Sequence, residues 1–169
     1  MMRVCFHGAE STGKSTLAAQ LAAERKCPLV PEYGRTYAET VGTDFTMADL
    51  LHIAAEQDRL TQAACANSPP LVLVDTDPLM TAAWAKMLFG ELPPELLEYP
   101  KADLYLLFAA DVPWVFDSTR FFGLEEARME FAGVAEDLLV STGVNYRRIE
   151  GNWKKREAAA REAISSALG

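Results

Sequence analysis

The chain has 169 residues, half of them hydrophobic and 24% charged, the make-up of a single globular domain with a full core. Its formal net charge of -8 argues against wrapping nucleic acid or lying on an anionic membrane, and no run approaches the roughly 18 apolar residues that span a bilayer. Cys5, Cys27 and Cys65 lack metal-ligand spacing and cannot all pair, so free thiols and a reducing, cytoplasmic setting are expected.

Residues 3–7 read as a short buried strand, and residues 15–25, rich in Ala and Leu, read as a helix. Between them Gly8-Ala9-Glu10-Ser11-Thr12-Gly13-Lys14-Ser15-Thr16 fits G-x-x-x-x-G-K-[ST], the phosphate-binding loop. Its glycines let the backbone curl so that N–H groups face phosphate oxygens. The following helix adds its N-terminal partial charge, Lys14 adds a full one, and the hydroxyl of Ser15 is placed to ligate the Mg²⁺ that travels with ATP. Gly8 and Glu10 to Thr16 are therefore the expected nucleotide-binding residues, although the Glu10 side chain points either at substrate or at solvent. The apolar start runs straight into this loop, so no secretory signal is expected.

Residues 28–32 read as a second strand, followed by Glu32-Tyr33-Gly34-Arg35. In an open parallel sheet, ligands sit beyond the carboxyl ends of the strands. There Glu32 can take a proton from an attacking hydroxyl, and Arg35 can hold a phosphate or steady the Glu. Residues 46–66 form a long helix with capping-box spacing between Thr46 and Asp49, stopped by Asn67-Ser68-Pro69-Pro70. Residues 71–75 are an apolar strand ending in Asp75, the expected partner of Lys14 and Ser15 in holding Mg²⁺. Asp77, past the strand end, either faces the same crevice and binds a substrate hydroxyl or opens the helix 78–89, with Pro78 at its first position.

A fourth strand spans 104–108, a helix 125–140, a fifth strand 145–149 and a closing helix 154–168. The alternation predicts an α/β domain over 1–169 with a mostly parallel five-stranded sheet. Residues 111–123 are too aromatic for a freely solvated loop. With Arg120 amid Trp114, Phe116 and Phe121, they suit a lid that brings positive charge to phosphates and shuts out water. His7 and His52 are given no catalytic role.

The phosphate loop, Pro31-Glu32-Tyr33-Gly34-Arg35, Asp75-Thr76-Asp77 and Asp111-x-Pro113-Trp114-x-x-Asp117-x-x-Arg120 occur in this order and at similar spacing in the ribosylnicotinamide kinase domain of NadR-type proteins. The chain resembles that family over nearly its whole length. The resemblance implies a three-layer P-loop kinase fold, helices on both faces of the sheet and a short lid at 111–123. It also implies transfer of phosphate from MgATP to the 5′-hydroxyl of nicotinamide riboside. On this reading Lys14, Glu32, Asp77 and Arg120 are catalytic, with Glu32 the leading base and Asp77 the runner-up. Arg120 also binds ATP, Glu32, Tyr33, Arg35 and Asp77 bind the acceptor, and Ser15 and Asp75 hold Mg²⁺. Pro31 stands where many members have Trp, which leaves Tyr33, Tyr37 or Trp84 to supply a stacking surface. The alternatives are a kinase for another nucleoside or nucleotide, and a non-kinase ATPase or regulatory NTP-binding module.

Overall fold

The strands buried on both faces occupy the centre of the sheet, because helices must cover both sides of them. The computed structural model describes residues 1–113 and 125–169. In it β1 (Met2–Gly8) pairs with β3 (Leu71–Asp75) on one side and β4 (Leu104–Phe108) on the other. The short β2 (Leu29–Val30) and β5 (Tyr146–Ile149) form the edges. The order is β2-β3-β1-β4-β5, and every pairing is parallel.

Alternation along β1 divides the core. Val4 and Phe6 face α1 (Lys14–Arg25) and α7 (Trp153–Leu168), packing with Leu17, Leu21, Ala160 and Ile164. Cys5 and His7 face the opposite layer of α3 (Met47–Cys65), α4 (Pro78–Phe89) and α6 (Glu125–Thr142). Cys5 packs with Leu79, Tyr105, Leu107 and Leu139, and His7 donates from Nε2 to the carbonyl of Ala135 at 3.0 Å. Burial holds His7 down to about 3, so it stays neutral in the core. No helix of the described residues is long and apolar enough to cross a membrane.

The strands 71–75 and 104–108 and the helix 78–89 have their expected bounds. The capping box of α3 is present, with Asp49 N donating to Thr46 Oγ1 at 3.2 Å and Thr46 N donating to Asp49 Oδ2 at 2.7 Å. Two helices were not expected: α2 (Tyr33–Val41) and the single turn α5 (Glu95–Glu98). Tyr, Gly and Thr are weak helix formers, and Glu32 makes no side-chain cap, so α2 carries little local signal. It forms because its inner side packs on α3, where Tyr37 donates to Asp49 Oδ1 at 2.6 Å.

Where β1 delivers the chain into the phosphate loop, Gly8 sits at φ 124°, and a Cβ there would lie 2.5 Å from the carbonyl oxygen of Phe108. Backbone on the neighbouring strand cannot give way as a side chain can. Gly8→Ala should therefore destabilise the fold by roughly 2–5 kcal/mol, read as a lowered urea midpoint at unchanged m-value.

Candidate active site

The phosphate loop is held from behind by two buried arginines. Arg128, on α6, donates from Nε to the carbonyl of Glu10 at 3.0 Å and from Nη1 to that of Val112 at 2.8 Å. Arg156, on α7, donates from Nη1 to the carbonyl of Thr12 at 3.2 Å, from Nη2 to that of Ala109 at 3.0 Å and from Nε to that of Gly151 at 2.7 Å. It also pairs with Asp111. With loop carbonyls drawn outward, loop N–H groups are turned inward, as anion binding requires. Gly13 (φ 88°) is the N-cap of α1 and supplies no side-chain cap, so the helix amides face the same cradle. Lys14 is buried there, its Nζ donating to the carbonyl of Ala9 at 2.7 Å.

In front of the loop lies an open crevice of about 390 Å³ at the carboxyl ends of β1, β2 and β3. Gly8, Glu10 to Thr16, Glu32, Arg35 and Asp75 all line it. Asp75 is buried at the end of β3, beside the Ser15 side chain. Burial raises its carboxyl, while Lys14, Ser15 and Arg35 pull it down. Its Oδ1 is buried with no hydrogen-bond partner among the described residues.

Glu32 is half-buried as a residue, yet its carboxyl is sunk in the crevice. Burial first, and the charge of Asp75 second, push it up to about 7 against the opposing pull of Lys14 and Arg35. A carboxyl so placed exchanges its proton near neutral pH. Gln57 of α3 fixes the backbone that presents it. Tyr33 N donates to Gln57 Oε1 at 2.8 Å, and Gln57 Nε2 donates to the carbonyl of Pro31 at 3.2 Å.

The far wall is apolar. Phe45, Leu50, Ile53 and Met80 line it with Trp84 and Phe131, whose ring centroids are 4.7 Å apart. Of the three aromatics proposed for stacking, Trp84 alone lines the crevice. Tyr33 and Tyr37 turn instead into a ring cluster with His52, and Tyr37 also meets Phe45. The substrate-binding assignment of Tyr33 is corrected accordingly, since its hydroxyl lies 3.3 Å from His52 Nε2.

Asp77 also requires correction. It is buried away from the crevice, caps α4 by accepting from Leu79 N at 3.0 Å, and accepts a second hydrogen bond from the Tyr105 hydroxyl. Both oxygens serve the fold, and Asp77 does not line the crevice. Cys5, His7 and Asp77 bring ligand-type atoms within 4.8 Å of one another, but this trio is enclosed in the core behind the sheet. Arg120, Asp117 and most of the expected lid lie outside the described residues.

Arg128, Arg156 and Gln57 were missed as supports of the site. Each breaks an apolar stripe of helical period: Arg128 with Phe131, Ala135 and Leu138; Arg156 with Ala160 and Ile164; Gln57 with Leu50, Ile53 and Ala54. A polar residue on the buried stripe of a helix needs a buried partner, and that was the available signal.

An Mg²⁺ fits this donor set. A serine hydroxyl and a carboxylate with an unpartnered buried oxygen stand together beside the phosphate cradle, hard oxygen ligands of the kind the ion takes alongside phosphates.

The AAA domain family matches residues 3–156. The chain belongs to that family. This AAA domain is 30% identical over 154 residues to the trifunctional NAD biosynthesis/regulator protein NadR of Escherichia coli (strain K12), covering 87% of this chain and 38% of that protein. It superposes on a crystal structure of NadR protein in complex with NR with a TM-score of 0.81 at 25% identity, over 99% of this chain and 52% of that one. Thymidylate kinase from Ehrlichia chaffeensis shares the fold, with a TM-score of 0.71 at 13% identity over 98% of each chain. The chain spans about two fifths of the length of the curated relative and about half of the NadR structure. The chain is thus an AAA domain whose fold is shared by NadR and by thymidylate kinase.

If Asp77 serves the fold, Asp77→Ala should cost about 2–4 kcal/mol, from a lost helix cap and a stranded Tyr105 hydroxyl. Thermal unfolding should show the loss, while Asp77→Asn, which still caps, should retain kcat within about threefold of wild type. A collapse of kcat in a well-folded Asp77→Asn would restore it to the site.

Proposed function

We propose that this domain transfers the γ-phosphoryl group of MgATP to the 5′-hydroxyl of a nucleoside, nicotinamide riboside being the acceptor. The carrying observation is Glu32: a carboxyl raised to about 7, in the crevice, beside Asp75, Ser15 and the phosphate cradle. The similarity to NadR and to its complex with NR supports this choice of acceptor.

Glu32 accepts the proton of the 5′-hydroxyl. The oxygen forms a bond to the γ-phosphorus, the bond to the β-phosphate bridging oxygen breaks, and ADP leaves with that electron pair. The inward loop amides and Lys14 hold the β- and γ-oxygens in place before reaction, so charge moving onto the bridging oxygen meets donors already oriented. Arg35 stands where it steadies the ionised Glu32 and offsets phosphate charge. Ser15 and Asp75 would hold the Mg²⁺ that accompanies ATP, whose charge would offset that of the β- and γ-phosphates. Arg120 is proposed as the further cation that meets the phosphates when the segment 111–123 covers them.

ATP turnover should rise with nicotinamide riboside and stay at background with ordinary nucleosides, deoxynucleosides and nucleoside monophosphates. Turnover with another nucleoside alone would move the acceptor and keep the chemistry. Lys14→Ala should lower turnover by roughly 10²-fold or more, and an unchanged rate would remove the kinase reading altogether.

The raised carboxyl makes two pH-dependent effects separable. Glu32 works as a base only when ionised, so kcat/KM should climb with pH and level off above about 7. Glu32→Gln should remove this limb and about 10²–10⁴-fold of the rate. For stability the sign is opposite. A folded-state value raised from 4.5 to about 7 means the folded protein binds the extra proton, so stability falls as pH rises through that window. Without nucleotide, Glu32→Gln should therefore unfold at a higher temperature than wild type at pH 8 and show little difference at pH 4.

A further inference from the structure

Cys5 and His7 stand two residues apart on β1, so their side chains leave the same face of the sheet, and both are fully buried. Asp77, the buried N-cap of α4, meets them there. Their ligand-type atoms lie within 4.8 Å of one another, and among the described residues no other group of three His, Cys, Asp or Glu side chains comes together in this way. None of the three lines the crevice.

His7 brings an unused lone pair to this group. The carbonyl of Ala135 engages Nε2 at 3.0 Å, so the ring proton sits on that nitrogen and the lone pair on Nδ1. Nδ1 is buried with no hydrogen-bond partner among the described residues. A buried acceptor left without a partner costs stability, and a neutral imidazole whose other nitrogen is fixed on a backbone carbonyl is the arrangement that ligates a metal. Asp77 is oriented in the same manner. Leu79 N and the Tyr105 hydroxyl each take one lone pair of its carboxylate, and each oxygen keeps a second. A cleft of about 10 Å³, the room of one water, reaches Cys5 and Asp77 from the exposed Pro100, past Arg3 and Asp58. The enclosed trio therefore has an entry path.

The chemistry of the three donors selects the ion. Nitrogen and sulfur ligands favour zinc over Mg²⁺, which takes oxygens. A thiolate and a carboxylate together carry two negative charges, so a divalent ion leaves the buried site neutral. Zinc holds such donors at roughly 2.0–2.3 Å, so the trio closes by about 1 Å onto it. We propose that Cys5 Sγ, His7 Nδ1 and a carboxylate oxygen of Asp77 form a Zn²⁺ site, with a water at the end of the cleft as fourth ligand. Binding displaces the thiol proton of Cys5 to solvent. The ion pins β1, whose last residue Gly8 opens the phosphate loop, to the start of α4. Its effect falls on stability, because it lies outside the crevice.

The probe is Co²⁺, which takes the ligands of zinc and absorbs in the near ultraviolet when bound to thiolate. It is added to the folded chain, and to the chain as it refolds from urea, with Mg²⁺ in excess to fill the all-oxygen site of Ser15 and Asp75. Wild type should take up Co²⁺ with a cobalt–thiolate absorption that Zn²⁺ abolishes, and its unfolding temperature should rise with Zn²⁺ concentration. Cys5→Ala should lose both the absorption and the shift, while Cys27→Ala/Cys65→Ala keeps both. Asp77→Asn, which still caps α4, should weaken Zn²⁺ binding by about tenfold or more. Absence of the cobalt–thiolate absorption in wild type by either route would overturn the proposal, as would its persistence in Cys5→Ala or its loss in Cys27→Ala/Cys65→Ala. Unaltered Zn²⁺ affinity in Asp77→Asn would overturn it as well, whether or not Cys5→Ala folds.

Discussion

The site depends on two buried guanidinium groups that hold loop carbonyls. A phosphate loop is a strained piece of backbone: Gly8, Ser11 and Gly13 all have positive φ, and Ser11 does so without being glycine. Such a loop keeps its shape only where its surroundings over-determine it. Arg128 reaches it from α6 and Arg156 from α7, so it is gripped from the helical layers on both faces of the sheet. Each arginine also bonds the chain just after β4, at Val112 and at Ala109. Loop, central sheet and both layers are thereby joined, and the orientation of the phosphate-binding amides becomes a property of the whole fold.

Against this cradle stands an electrostatic conflict. Glu32 and Asp75 are both carboxyls in a part of the protein that disfavours charge, and each raises the cost of ionising the other. A fold selected for stability alone would replace one of them with an amide. Lys14 and Arg35 relieve the conflict only in part, so Glu32 comes to rest near neutrality. That is a poor state for stability and a suitable one for a base that must take a proton and release it in each cycle.

Legibility followed the strength of local pattern. The strand ending in Asp75, the helix opening at Pro78 and the capping box at Thr46 could be read because each is specified by neighbours within four residues. The helix Tyr33–Val41 could not be read, since its residues favour helix weakly and its support, Gln57 and Asp49, is some twelve or more positions away. Asp77 shows the opposite failure. A carboxylate two residues beyond Asp75 invites a role in the crevice, but Thr76 turns through φ 68° between them, and Asp77 comes out on the far side as a helix cap. Arg128, Arg156 and Gln57 were visible as polar residues on apolar stripes, but the carbonyls that explain them are set by the tertiary fold.

The two sides of the crevice are built from different materials, and this bears on how they diverge. The shape of the phosphate loop comes from sheet order and two arginines, so that side tolerates little change. The apolar wall is made of side chains from α3, α4 and α6, with Trp84 against Phe131, and Gln57 spends both ends of its amide on the backbone of Pro31 and Tyr33. That amide is committed to placing the backbone around Glu32. The wall offers shape and ring surface, which a few side-chain exchanges can alter while the loop stays intact. Trp84 lines the crevice from α4 and supplies it with a ring surface.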